Sequence, residues 1–279
     1  MKTFILAVGC LLLAVVSTFA QGDIRAVDFK NFTYSAHCAG ETASKVTVKN
    51  GEFSEEKQQD GYTDRFFFNV MDVSYGDLNG DKRDEAVILS VCNTGGTGNF
   101  SEGFVYAMKA GKPMMIARIP GGDRGYGGLR SAVVENGLLV VDSNDAGDEG
   151  AACCPLYVVT TRYRLGPRGG ILKAGKETRR ELYPKERVTF PKGQSGTTFK
   201  VKIRAEEGRR YIVGARAGQT LSVSIDTDKA SLRLLDDGVD AKHGINNFMA
   251  KLPRGGDFTI ELQNDTDTEI EITVNIKIN

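Results

Sequence analysis

Residues 75–89 read YGDLNGDKRDEAVIL, a polar, glycine-bearing turn that runs straight into an apolar segment. Such a transition places a buried strand directly after the turn. Asp77, Asn79 and Asp81 alternate with Leu78 and Gly80, and Asp84 and Glu85 follow. An oxygen-rich loop of this kind can take a hard cation such as Ca²⁺. Asp77, Asn79, Asp81, the Arg83 carbonyl and Glu85 would then fill alternate ligand positions. The same residue types also close Asx turns on their own backbone without metal. Lys82 stands where calcium loops carry glycine to permit a positive φ, and Lys82 and Arg83 add positive charge beside the proposed ion. The metal-free turn is therefore the favoured expectation.

Outward from this stretch the chain reads as short strands between turn signals. Residues 45–53 alternate around Asn50-Gly51, which is hairpin chemistry, and residues 66–73 and 85–91 are apolar enough for central strands. Residues 103–119 turn at AGKP, residues 133–141 turn at ENG, and residues 156–165 alternate. No segment keeps a helical period over three turns. The 33 glycines against 7 prolines point the same way, and the expected fold class is mainly β.

The first 20 residues have the layout of a signal peptide. Lys2 precedes an apolar run over 4–16, and the small residues up to Ala20 suit cleavage. A run of ~13 apolar residues is short of the ~20 needed to span a bilayer. The expected location is secreted or periplasmic, with no transmembrane segment after signal removal. The 36 basic residues balance the 36 acidic ones, so nothing suggests nucleic acid or an anionic membrane as partner.

Four cysteines remain after the signal: Cys38, Cys92, Cys153 and Cys154. In an exported chain an even number reads as two disulfides. Adjacent cysteines rarely bridge each other, so Cys38 and Cys92 are each expected to pair with one of Cys153 and Cys154. The alternative is a vicinal Cys153–Cys154 bridge beside Cys38–Cys92, which would be easily reduced. All four precede residue 155, which divides the chain into a disulfide-stapled N-terminal β domain over 21–172 and a second domain. Residues 173–186 are expected as a solvated linker, with a helical turn over 177–182. Residues 187–279 carry seven or eight short alternating strands, the pattern of a small antiparallel β-sandwich.

The segment GDLNGDKRDEAVI resembles the calcium-loop portion of FG-GAP-type repeats, but it occurs once, which does not support a propeller. Residues 70–172 are similar to a set of uncharacterised exported bacterial proteins. The shared pieces are the acidic strand entry, Gly111-Lys112-Pro113, Gly122-Asp123-Arg124, residues 136–142 and Cys153-Cys154-Pro155. Residues 187–279 resemble the periplasmic inhibitors of g-type lysozyme and the related bacterial pre-peptidase-like sandwiches. Arg187-Val188, Phe190, Lys192-Gly193, Tyr211, Ala217-Gly218-Gln219-Thr220 and Leu252-Pro253 with Gly255 and Asp257-Phe258-Thr259-Ile260 carry the likeness. Residues 195–199, SGTTF, are similar to the Ser-Gly-x-x-Tyr loop of other bacterial lysozyme inhibitors, with Phe199 lacking the hydroxyl.

Catalytic signals are thin. The two histidines, His37 and His243, fall in different halves, His37 beside a bridged cysteine and His243 in a polar loop. No nucleophile elbow, zinc-protease or Walker pattern is present. The absence of Trp removes the best platform for stacking on sugars. Residues 121–128, GGDRGYGG, present Arg124 and Tyr126 on a loop that is expected as a hairpin linker.

The expectation is a binding protein rather than an enzyme. The resemblance implies lysozyme inhibition through the C-terminal sandwich, with a turn over 192–198 entering the enzyme's cleft. Lys192, Gln194, Ser195, Thr197 and Thr198 are the candidate contacts. The alternatives are a calcium-supported cell-envelope or adhesion module binding an envelope polymer, and an unrecognised hydrolase.

Overall fold

The computed structural model describes residues 22–38, 43–59 and 61–279. The expected signal segment, 1–20, lies outside the described residues. Among those described, a 3₁₀ turn at Ile24–Ala26 is followed by strands alone. No described helix is long and apolar enough to cross a membrane.

A two-stranded ribbon, β1 (Thr33–Ala36) and β2 (Ser44–Thr47), precedes an antiparallel meander. The meander comprises β3 (Glu52–Gln59), β4 (Tyr62–Gly76), β5 (Glu85–Asn93), β6 (Phe100–Lys109) and β7 (Lys112–Ile119). A second five-stranded sheet holds β8 (Tyr126–Glu135), β9 (Leu138–Asp145), β10 (Tyr157–Leu165), β11 (Ile171–Lys173) and β12 (Thr178–Glu181).

The acidic turn delivers the chain into β5, the middle strand of the meander, which is buried on both faces. Ala86, Ile88 and Cys92 face an aromatic core with Phe29, Tyr34, Phe68, Phe104 and Tyr106. Val87 and Leu89 face the opposite core, with Val105, Ile119, Leu129, Leu139 and Val141 from the two sheets. Strand alternation sends neighbours to opposite sides, so a continuous AVIL run is what a strand between two layers requires.

Cys38 and Cys92 form a disulfide, with Cα atoms 5.7 Å apart. This corrects the expected pairing of Cys38 and Cys92 with Cys153 and Cys154, which are exposed and unbridged. The reason is sidedness. Cys92 points from β5 into the aromatic core against which Cys38 packs. Residues 153 and 154 follow β9, whose sheet packs on the other face of β5.

The expected linker, 173–186, is also corrected, because it contributes two strands. β12 pairs with β10 over Tyr157–Thr160 where a helical turn was expected, and β13 (Lys185–Arg187) runs parallel to the next sheet's β15 (Gly208–Ala215). β12 is held by Arg180, which donates to Asp142 at 2.8 Å and to Glu207 at 2.7 Å. Leu182 behind it is buried. Its N–H reaches the Leu156 carbonyl, and its carbonyl accepts the Gly208 N–H. Gly208 must lack a side chain, since a Cβ there would lie 2.3 Å from the Tyr183 ring.

The C-terminal part is a two-sheet sandwich. Its strands are β14 (Gly196–Ile203), β16 (Thr220–Ile225), β17 (Ala230–Leu234), β18 (Ala241–His243), β19 (Asn247–Lys251), β20 (Gly256–Asn264) and β21 (Ile270–Ile278), with β13 and β15. One sheet has the order β13-β15-β20-β17 and the other β14-β21-β16-β19-β18. Val213, Leu221, Val223, Phe248, Phe258, Ile260, Ile272, Val274 and Ile276 fill the space between them. The recognised motifs belong to this frame. The Gly218 N–H bonds the Leu252 carbonyl and the Leu252 N–H bonds the Gln219 carbonyl, so the AGQT turn and the Leu252-Pro253 segment meet. Arg187 pairs with Asp257.

Candidate functional site

In the acidic loop the side chains singled out from the sequence, Asp77, Asn79, Asp81 and Glu85, bond within the loop itself. Asp77 Oδ1 accepts the N–H groups of Asn79 (3.2 Å) and Gly80 (2.6 Å), and Oδ2 accepts that of Lys82 at 2.8 Å. Asn79 Oδ1 accepts the Asp81 N–H, and Asp81 Oδ1 accepts the Arg83 N–H. Glu85 accepts the Leu78 N–H and the Asn79 amide, both at 2.8 Å. Lys82 takes φ +66°, the conformation expected of glycine, and its bond to Asp77 fixes it there. These are successive Asx turns. Among the described residues no group of three or more His, Cys, Asp or Glu is arranged to hold a metal.

Burial pushes the Asp77 carboxyl up, but four backbone N–H groups outweigh it and hold the group below its ordinary value. Glu85 is different, being 2% exposed. Burial pushes it up to about 7, against the Leu78 N–H, and the charges of Asp81, Asp77 and Asp84 add to the rise. The folded protein thus keeps a proton on Glu85 at pH values where the unfolded chain has lost it. Stability should fall as pH rises from the ordinary carboxylate range to about 7 and then level off. A tenfold difference in proton affinity between the folded and unfolded chains is worth about 1.4 kcal/mol, so the whole loss is on the order of 3 kcal/mol. Thermal melts should show that fall in the native chain and a flatter profile for Glu85→Gln. An equal slope in both would remove Glu85 as the cause.

The candidate contacts at 192–198 lie elsewhere, beside a concavity of the sandwich. Pro191 to Ser195 form a tight turn in which the Gln194 N–H bonds the Pro191 carbonyl at 2.9 Å and Gly193 takes φ +78°. The Ser195 carbonyl accepts the Ile278 N–H at 2.7 Å, which anchors the turn to the sheet. Lys192, Gln194 and Ser195 are exposed on it. Thr198 points outward and bonds Asn275. Thr197 stands opposite Ile276, on the side of β14 that faces the core.

Beyond Thr198 the ladder brings together residues from four strands. Thr198 pairs with Asn275, Asn275 with Ser224, and Ser224 with Asn247. The next row runs Gly196, Lys277, Ser222, Met249 and Lys242. Ser222 and Ser224 are short and central, whereas Pro191, Gln194, Lys277 and Met249 are longer and stand around them. The result is a groove of about 800 Å³ lined by Gln194, Thr197, Thr198, Ser222, Ser224, Asn247, Met249, Asn275 and Lys277, among others. Past its far side the β18–β19 loop carries Ile245, 91% exposed, and Met249 within the groove is 54% exposed. His243 sits near this loop with its ring 5.8 Å from Phe248.

Sequence reasoning found only one wall of this groove. The other walls lie on strands that read individually as solvated faces. The signal that could have exposed them is the run of short polar side chains at outward positions, Ser222, Ser224, Asn247 and Asn275, between longer ones.

A smaller cavity, about 370 Å³, lies beside the disulfide and includes His37, Glu102 and Arg118. Glu102 there is already engaged. Glu102 accepts the backbone N–H of His37 at 2.9 Å and an Arg118 guanidinium N–H at 2.9 Å.

No family model matches the chain, and no curated protein sequence matches it. Among solved structures, part of the chain is similar to the periplasmic lysozyme inhibitor of g-type lysozyme from Aeromonas hydrophila. Identity is 19% over 35% of this chain and 98% of that one, with a TM-score of 0.32. The Salmonella Typhimurium inhibitor is 23% identical over 34% of this chain and 98% of its own, with a TM-score of 0.30. A mutant of the Escherichia coli inhibitor is 20% identical over 35% and 99%, with a TM-score of 0.30.

Proposed function

We propose that the chain is an exported binding protein whose C-terminal sandwich occupies the cleft of a g-type lysozyme and blocks it. The observation that carries this reading is the groove. The segment singled out by resemblance to lysozyme inhibitors, with Gln194 and Thr198, forms one wall of it. The turn at 191–195 on the rim of the groove, with Lys192 and Gln194 exposed, is the part that enters the cleft, and the groove beside it receives the cleft's edge.

Charge and apolar anchors support a protein partner. Lys192, Lys242 and Lys277 are exposed on and around the groove, and glycosidase clefts carry a pair of carboxylates. Ile245 and Met249 offer exposed apolar side chains of the kind that anchor an interface. The Cys38–Cys92 bond supports export, since disulfides persist in oxidising compartments.

An envelope polymer is the weaker partner, because the one aromatic side chain in the groove lining, Phe248, is buried. A lysis assay with g-type lysozyme separates the two. Saturable loss of lytic rate on adding the full chain is expected. Retention of the chain on insoluble peptidoglycan with lysis unaffected would overturn the reading in favour of the polymer.

A further inference from the structure

The loop between β9 and β10 holds Cys153 and Cys154 side by side. Adjacent residues of an extended chain point to opposite sides, but here a turn intervenes. The Cys154 N–H bonds the Ala151 carbonyl at 2.9 Å. The two sulfurs are 2.6 Å apart and both residues are exposed. A disulfide bond is about 2.05 Å, so closing the pair needs a movement of roughly half an ångström. The loop is closed at its base by the Leu156 N–H to the Asp145 carbonyl (3.1 Å) and held at its middle by the Gly125 N–H to the Ala152 carbonyl (2.7 Å). Arg124, next to that second tie, lies within electrostatic reach of Cys153.

We propose that Cys153 and Cys154 are a redox-modified site, forming a reversible vicinal disulfide with a small-molecule disulfide as oxidant. The compartment that joins Cys38 to Cys92 also oxidises this pair, which is exposed and already in contact. One thiol loses its proton and attacks the small disulfide, releasing one small thiolate and leaving a mixed disulfide. The neighbouring thiol loses its proton and attacks the protein sulfur of that mixed bond, releasing the second small thiolate. Two protons leave the protein, and its two electrons reduce the small disulfide to two thiols. Ring closure locks the turn over 151–154. Through the Gly125–Ala152 bond it steadies the adjacent 121–128 segment, which presents Tyr126, 58% exposed. This site is separate from the groove and does not depend on the lysozyme reading.

The test is alkylation of the full chain in denaturant without reductant, after incubation with oxidised glutathione, followed by peptide mass analysis. The peptide holding both cysteines should be unalkylated and lighter than the dithiol form by two hydrogens. A low concentration of a dithiol reductant should free this pair while Cys38–Cys92 stays closed. The Cys154→Ser variant, with no resolving thiol, should retain glutathione on Cys153. Two alkylated thiols at 153 and 154 after oxidation, a lasting glutathione adduct on the native chain, or a disulfide-linked dimer would each overturn the proposal.

Discussion

Replacing Asn264 with alanine is expected to destabilise the C-terminal sandwich by about 4 kcal/mol, enough to unfold much of it at moderate denaturant. Asn264 ends β20 and is completely buried. Its amide donates to the carbonyls of Ile203 (3.1 Å), Arg204 (2.9 Å) and Thr268 (2.7 Å). Its oxygen accepts the Thr266 N–H at 2.9 Å and the Thr266 hydroxyl at 2.8 Å. One side chain therefore joins the end of β14 to the turn before β21. Alanine leaves the buried Ile203 carbonyl without its donor and removes four part-buried bonds at the rim, and a buried loss of this kind costs about 1–3 kcal/mol. Urea unfolding measures the effect. A loss below about 1 kcal/mol would show that the surrounding carbonyls find other donors.

Filling the groove should abolish inhibition while sparing the fold. Ser224 stands in the row between Asn275 and Asn247, on the outward side of β16. Ser224→Trp places a large ring in the middle of the concavity without touching Val223 or Ile225, which point into the core. Displacing a partner's central contacts costs on the order of 3 kcal/mol, so the inhibition constant should rise about 100-fold. The melting temperature should stay near that of the native chain. The same substitution at Arg233, exposed on the opposite sheet, should leave inhibition unchanged. Equal losses at both positions would argue against the groove as the contact surface.

The parts of the fold that could be read in advance are those governed by local pattern. The AVIL run after the acidic turn needs two apolar layers, and β5 has them. TLSVSI alternates, and β16 covers the same six residues, with the leucine, valine and isoleucine inward. Residues 173–186 misled because ETRRELY looks solvated until Arg180 meets Asp142 and Glu207, 38 and 27 residues away. The cysteine pairing failed for a related reason: adjacency says what is difficult locally, not which face of β5 each thiol occupies. Of the turn expected over 192–198, only residues up to Ser195 turn, because Gly196, Thr197 and Thr198 already pair with β21 as the start of β14. The groove beside it was not legible, because its floor is assembled by register among β14, β21, β16 and β19.

The most direct test of the central claim is calorimetric titration of a purified g-type lysozyme with the full chain and with its Ser224→Trp variant. Saturable one-to-one binding by the native chain, lost in the variant and accompanied by loss of lytic activity, is the predicted result. No heat of binding to the native chain at micromolar concentration, with lysis unaffected, would contradict the account.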